Sequence, residues 1–230
     1  MNPRFRKTLL LVCLACLAAA SSGASSQMSG QTEEFQYRWQ LRNIVGNIAG
    51  LFLPKQGEGS LTFKTDPSGR LRSELTITSG AAREGEYFRY GSEIDTRTLQ
   101  PIRAWSSYSW RGETKSKSSP INRDGVLDVA SGIYSIRQDP PQKPRRMEIW
   151  SDGKIYPVIV RPLGVENRKL QGGRTVAARR FSIRGIEAPG HRKWKGKLDL
   201  WLTTDAAATP VEIVISRNLA DVRMELKSLL

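Results

Sequence analysis

The chain has 230 residues, 39% of them apolar and 25% charged, which is enough for one domain with a substantial core and too apolar for a disordered chain. Lys and Arg number 36 against 22 Asp and Glu, a net charge of +14 that points to anionic surroundings: lipid head groups, acidic polysaccharide or nucleic acid. One histidine and two cysteines exclude most metal-cluster, haem and histidine-dependent catalytic schemes.

The chain opens with Arg4, Arg6 and Lys7, followed by an apolar stretch from Thr8 to Ala20 and then small residues suited to cleavage after Ala20 or Ala24. This is the pattern of a secretory signal over 1–24, too short for a bilayer span of roughly 20 apolar residues. Both Cys13 and Cys16 fall inside it, so the exported chain holds no cysteine and needs no disulfide. A lipid anchor at either cysteine is the lesser reading, because Val12 precedes Cys13 and Cys16 has Cys13 three residues before it. Losing three cations leaves the chain strongly basic, and export makes nucleic acid a poor partner. The expected compartment is the periplasm.

Residues 25–34 are polar and aperiodic, a flexible lead-in to a single β-rich domain over 35–230. Phe35, Tyr37, Trp39 and Leu41 alternate with Gln36, Arg38, Gln40 and Arg42, the period of a strand with one buried face. The run Ile44–Leu53 reads as a buried strand and turn; the alternative is an apolar lip that touches lipid. Its Gly46 and Gly50 carry the spacing of membrane helix contacts, but ten residues cannot cross a bilayer. Further strands are predicted at 60–65, 70–78, 86–94 and 102–110.

Asp128 to Arg137 breaks the strand rhythm. Val129, Ile133 and Ile136 share a helical face, Asp128 is placed to cap, and Pro140-Pro141 stop the helix. One short helix is therefore predicted, plugging or bracing a curved sheet. Strands at 146–150 and 154–160 flank Ser151-Asp152-Gly153, a tight hairpin signal. Alternation returns at Leu198, Leu200 and Leu202, then at Val211, Ile213 and Ile215, and finally at Val222, Met224 and Leu226. The fold class expected is mainly β: a curved antiparallel sheet or partial barrel with one short helix near mid-chain.

The aromatic first strand and Gly-containing apolar turn (Tyr37 to Gly50), the segment Asp95–Arg103 (DTRTLQPIR), the Asp128–Arg137 helix, and Lys195–Ile213 (KGKLDLWLTTDAAATPVEI) together resemble the bacterial exported domain-of-unknown-function family 3108. The resemblance covers most of residues 35–230 and is most specific in the last third; Asp128-Val129 stands where the family has Asp-Pro. It implies a periplasmic, mostly antiparallel curved sheet with no assigned catalytic residues.

Chemistry is sparse. Nucleophilic hydrolysis needs a base to activate the nucleophile, and His191, set among Arg192, Lys193, Lys195 and Lys197, reads as a surface-loop residue. No ligand spacing suggests a metal and no Gly-rich phosphate loop is present, so neither metal, cofactor nor catalytic residue is expected. Glu84 and Glu86 are the closest acidic pair between strands and keep a carboxylate-dependent glycan hydrolase as the least favoured reading.

The cations carry more information. They gather at Arg145 and Arg146, at Arg179, Arg180 and Arg184, and at Arg192, Lys193 and Lys195, and the chain has 24 Arg to 12 Lys, a bias toward bidentate anion recognition. The plain account is a solvated positive face. The sharper one makes these residues, with Trp194 as an interfacial anchor and Trp110 as a second exposed aromatic, a landing patch for anionic lipid, lipopolysaccharide or glycan, peripheral to the membrane at most. The functions expected are a non-catalytic envelope protein binding an amphiphile or anionic component or, second, a scaffold that docks another envelope protein.

Overall fold

The computed structural model describes residues 30–42, 55–79, 85–217 and 220–228. The expected leader and the apolar run at 44–53 lie outside these residues. Thirteen strands form one sheet: β1 (Thr32–Arg42), β2 (Gln56–Thr65), β3 (Arg70–Thr78), β4 (Tyr87–Asp95), β5 (Pro101–Trp110), β6 (Glu113–Pro120), β7 (Val126–Leu127), β8 (Arg145–Ser151), β9 (Lys154–Lys169), β10 (Thr175–Gly185), β11 (Lys197–Thr203), β12 (Pro210–Arg217) and β13 (Ala220–Leu226). The helix α1 (Val129–Gln138) sits between β7 and β8 in the chain.

The order across the sheet is β6-β5-β4-β3-β2-β1-β13-β12-β11-β10-β9-β8-β7. It consists of two meanders joined where β1 pairs with β13, Tyr37 opposite Leu226 and Trp39 opposite Met224. Every ladder is antiparallel except β7 with β8. This is the mainly β, curved antiparallel architecture with one mid-chain helix that the alternation predicted. Thr32–Glu34, read as lead-in, already belong to β1, because they pair with the end of β2 and Glu33 meets Arg137 of the helix.

Period-2 patterning places one large side chain per pair of residues on the concave face: Phe35, Tyr37 and Trp39 from β1, Leu61 and Phe63 from β2, Leu71, Leu75 and Ile77 from β3, and Leu198, Leu200, Leu202 and Ile213 from β11 and β12. Trp39 lies over Gly57, where a Cβ would come 2.7 Å from its Nε1, and it donates to Thr78 O at 2.7 Å.

The space this curvature makes is filled by α1. Asp128 caps it: the carboxylate accepts from the backbone N–H of Ala130 (3.1 Å) and Ser131 (2.9 Å), and from the hydroxyls of Ser131 and Ser92 (both 2.6 Å). At the other end Arg137 lies over the rings of Phe35 and Phe63, at 4.9 and 5.3 Å, and donates to Ala207 O, Ala208 O and Glu33. The helix is thereby tied at one end to β4 and at the other to β1 and the turn before β12.

The two ends of the sheet approach each other. Ala104, Ile121, Val126 and Trp150 form a second small core with Ile155, and Lys117 Nζ of β6 donates to Asp152 O at 3.2 Å. Side chains, rather than a ladder, close this seam among the described residues.

Candidate binding surface

The cations singled out in the sequence fall into four settings. Arg146, Ile159, Arg184 and Lys197 stand opposite one another across β8 to β11, so Arg146, Arg184 and Lys197 form a basic row on the convex face. Arg145 and Arg179 both reach the segment that follows α1: Arg145 Nη1 meets the Asp139 carboxylate at 2.9 Å and Arg179 Nη1 donates to Gln142 Oε1 at 3.1 Å. Arg180 and Arg184 converge on Asp199, at 2.8 and 2.5 Å, and Arg180 stacks on Trp201 at 4.9 Å. Two carboxylates, Asp139 and Asp199, thus answer three of these cations, while Arg179 meets a neutral amide.

Arg192, Lys193 and Lys195 are exposed between β10 and β11, with Lys193 paired to Glu187 at 3.2 Å. Trp194 departs from its expected role as an exposed anchor. The segment folds back so closely on Gly185 that a Cβ there would meet Trp194 O at 2.3 Å, and the indole turns onto the core. It covers an apolar void of about 20 Å³ lined by Ile133, Ile136, Met147, Val160 and Leu198. Trp110 is half-buried against Phe88, ring centroids 5.9 Å apart, far along the sheet from the basic row. His191 is also half-buried, with Nδ1 3.5 Å from Ile155 O. Of the acidic pair, Glu84 lies outside the described residues, and Glu86 accepts from the Ser79 hydroxyl at 3.1 Å and Arg111 N–H at 3.2 Å.

The sequence reading missed a polar hollow of about 270 Å³ on the convex face of β3 to β6, lined by Arg72, Glu74, Arg89, Arg103, Trp105, Ser107 and Ser118. Register assembles it. One cross-strand row runs Arg72, Glu93, Arg103; the next runs Glu74, Gly91, Trp105, Ser118; the third runs Thr76, Arg89, Ser107. Gly91 has no side chain, so the Trp105 indole lies flat across it: a Cβ at Gly91 would come 2.5 Å from the ring. Trp105 Nε1 donates to Glu74 at 3.3 Å. Arg72 and Arg103 then cover the ring at 5.0 and 5.5 Å. These arginines stand singly in the sequence, so a search for adjacent cations passes over them; strand alternation together with pairing is the signal that gathers them.

No protein-family model matches the chain, and no curated protein matches it. Among solved structures, the chain is similar to the crystal structure of a beta-barrel-like protein of domain of unknown function DUF1849 from Brucella abortus, at 9% identity and a TM-score of 0.46, over 84% of this chain and 94% of that one.

Proposed function

We propose that the protein is an exported, non-catalytic component of the bacterial cell envelope that binds an anionic lipid, lipopolysaccharide or glycan on its outer surface. The kinship with family 3108 read from Asp95–Arg103 and Lys195–Ile213 is part of this reading, as is the periplasmic address implied by the leader. The observation that carries it is the contrast between the two faces of the sheet. The concave side is packed around α1, and the void beside it is about 20 Å³, room for about one water and not for an acyl chain. The convex side carries the basic row of Arg146, Arg184 and Lys197 and the larger polar hollow around Trp105. An amphiphile would accordingly be held by its head group, with its chains left outside the fold.

The test is mass spectrometry of what stays bound to full-length precursor-derived protein purified gently from the periplasm. A retained anionic lipid or acidic glycan is the expected result. A retained neutral molecule, or turnover of a glycan that disappears on replacing one carboxylate, overturns the reading. The packed interior equally suits the second reading, a scaffold for another envelope protein, and one dominant cross-linked protein partner in the same preparation would favour it.

A further inference from the structure

Resting on the reading of an anion-binding outer surface, we propose that the hollow over β3 to β6 is a receptor for a phosphate monoester, held by Arg72, Arg89 and Arg103 with the hydroxyls of Ser107 and Ser118. Pre-organisation is the first ground. Two of the guanidiniums are laid on the Trp105 ring, and Arg103 is also held by Glu93 through Nη2 at 3.1 Å. Arg89 Nε lies 3.3 Å from Glu74 and its guanidinium sits 5.1 Å from the Tyr87 ring. Long side chains fixed in this way lose less freedom when an anion arrives.

Charge is the second ground. Three guanidiniums share two carboxylates, Glu74 and Glu93, so the hollow keeps a positive excess. A second arginine-flanked tryptophan sets the contrast. Trp201 is also flanked by two guanidiniums, Arg168 at 4.5 Å and Arg180 at 4.9 Å, but Glu166, Asp199 and Glu212 meet them or the indole, and Trp201 and Glu212 are 5% and 4% exposed. There Arg184 and Arg223 join the same carboxylates and the group is closed over; around Trp105 the guanidiniums stay open to solvent.

Size and valence name the ligand class. At about 270 Å³ the hollow sits just below the range of small-molecule pockets, roughly 300 to 1,000 Å³, which fits one head group and not a whole lipid or oligosaccharide. A phosphate monoester carries close to two negative charges at pH 7 and three acceptor oxygens, a match for several converging arginine forks and two hydroxyls. The monoester has two sources, a soluble sugar phosphate or a lipid head group.

The experiment is calorimetric titration of the full exported chain with inorganic phosphate and with a hexose phosphate, beside flotation with vesicles containing phosphatidic acid. Saturable phosphate binding is expected, weakened at least about tenfold by Arg89→Gln and by Arg103→Gln, the loss of a charge-assisted hydrogen bond, and spared by Arg174→Gln in the exposed turn between β9 and β10. The wild-type protein supplies a readout that needs no variant: phosphate should raise Tm where chloride at equal ionic strength does not. Displacement of the vesicles by hexose phosphate assigns the head group as a source; hexose phosphate binding without vesicle binding assigns the soluble ester. Absence of phosphate binding to the wild type, or binding unchanged in both arginine variants, overturns the site. If Arg146→Gln alone then abolishes vesicle binding, the outer-surface reading stands with its site on β8 to β11; if neither phosphate nor anionic vesicles bind the wild type, both fail.

Discussion

Asp128 and Tyr37 are the two buried polar side chains on which the interior most depends. Asp128 is 2% exposed, and its carboxylate gathers two backbone N–H groups and the hydroxyls of Ser92 and Ser131. Asp128→Ala removes the cap and strands two buried hydroxyls, so a loss of about 3 kcal/mol in urea unfolding is expected, against roughly 1 kcal/mol for Asp128→Asn, which keeps an acceptor. Tyr37 is fully buried and donates its hydroxyl to Pro210 O at 2.7 Å. Burial pushes its phenol well above the usual tyrosine value, with Arg137 opposing. The folded state therefore keeps this proton where the unfolded chain gives it up. Its contribution is whole below pH about 10 and drains as pH rises past that value, so stability should fall on the alkaline side less steeply in Tyr37→Phe than in the wild type. Identical alkaline slopes for the two proteins would contradict this.

Elements were legible in the sequence where one face is wet and the other dry. Phe35, Tyr37 and Trp39 were readable as core from their alternation with Gln36, Arg38 and Gln40, and all three are buried. The helix was readable from Asp128 and the spacing of Val129, Ile133 and Ile136, and the hairpin from Asp152-Gly153, both of which take positive φ, 51° and 79°. Of the three strands that escaped, β7 has only two residues and shows no period, and β6 and β10 escaped for different reasons. In β6 the side chains from Glu113 to Ser118 are exposed, because the strand lies at the sheet edge with little to cover it, so its sequence carries no apolar period. In β10 the adjacent Arg179 and Arg180 stand on opposite faces and read as one surface cluster, when Arg180 is part of the Trp201 packing; the bulge opposite Arg180 and Phe181 lies in β9, where Leu163 is left over between Pro162 and Gly164. The Trp105 hollow escaped because it is a product of pairing: Gly91 matters only once β4 lies beside β5. Gly91→Ala would put a methyl group into the indole and 2.7 Å from Ser73 O, so a loss of about 2 kcal/mol is expected, accompanied by a changed Trp105 environment in near-ultraviolet circular dichroism.

At the scale of the molecule, one chain divides its labour between the faces of one sheet. Apolar residues and α1 occupy the concave side, and a small core built around Trp150 draws the two edges together without a ladder. The basic excess is left to the convex side, where arginine is steered either into closed-over ion pairs, as around Trp201, or into an open frame, as around Trp105. On the proposed reading, binding acts through charge at short range and is weakened by salt. The most direct measurement is flotation of the protein with vesicles rich in anionic lipid, compared with neutral vesicles, at roughly 0.01 M and roughly 1 M salt, where the screening length falls from about 30 to about 3 Å. Binding to the anionic vesicles that is strong at low salt and lost at high salt is the predicted result; equal binding to neutral vesicles, or none to either kind at low salt, would contradict it.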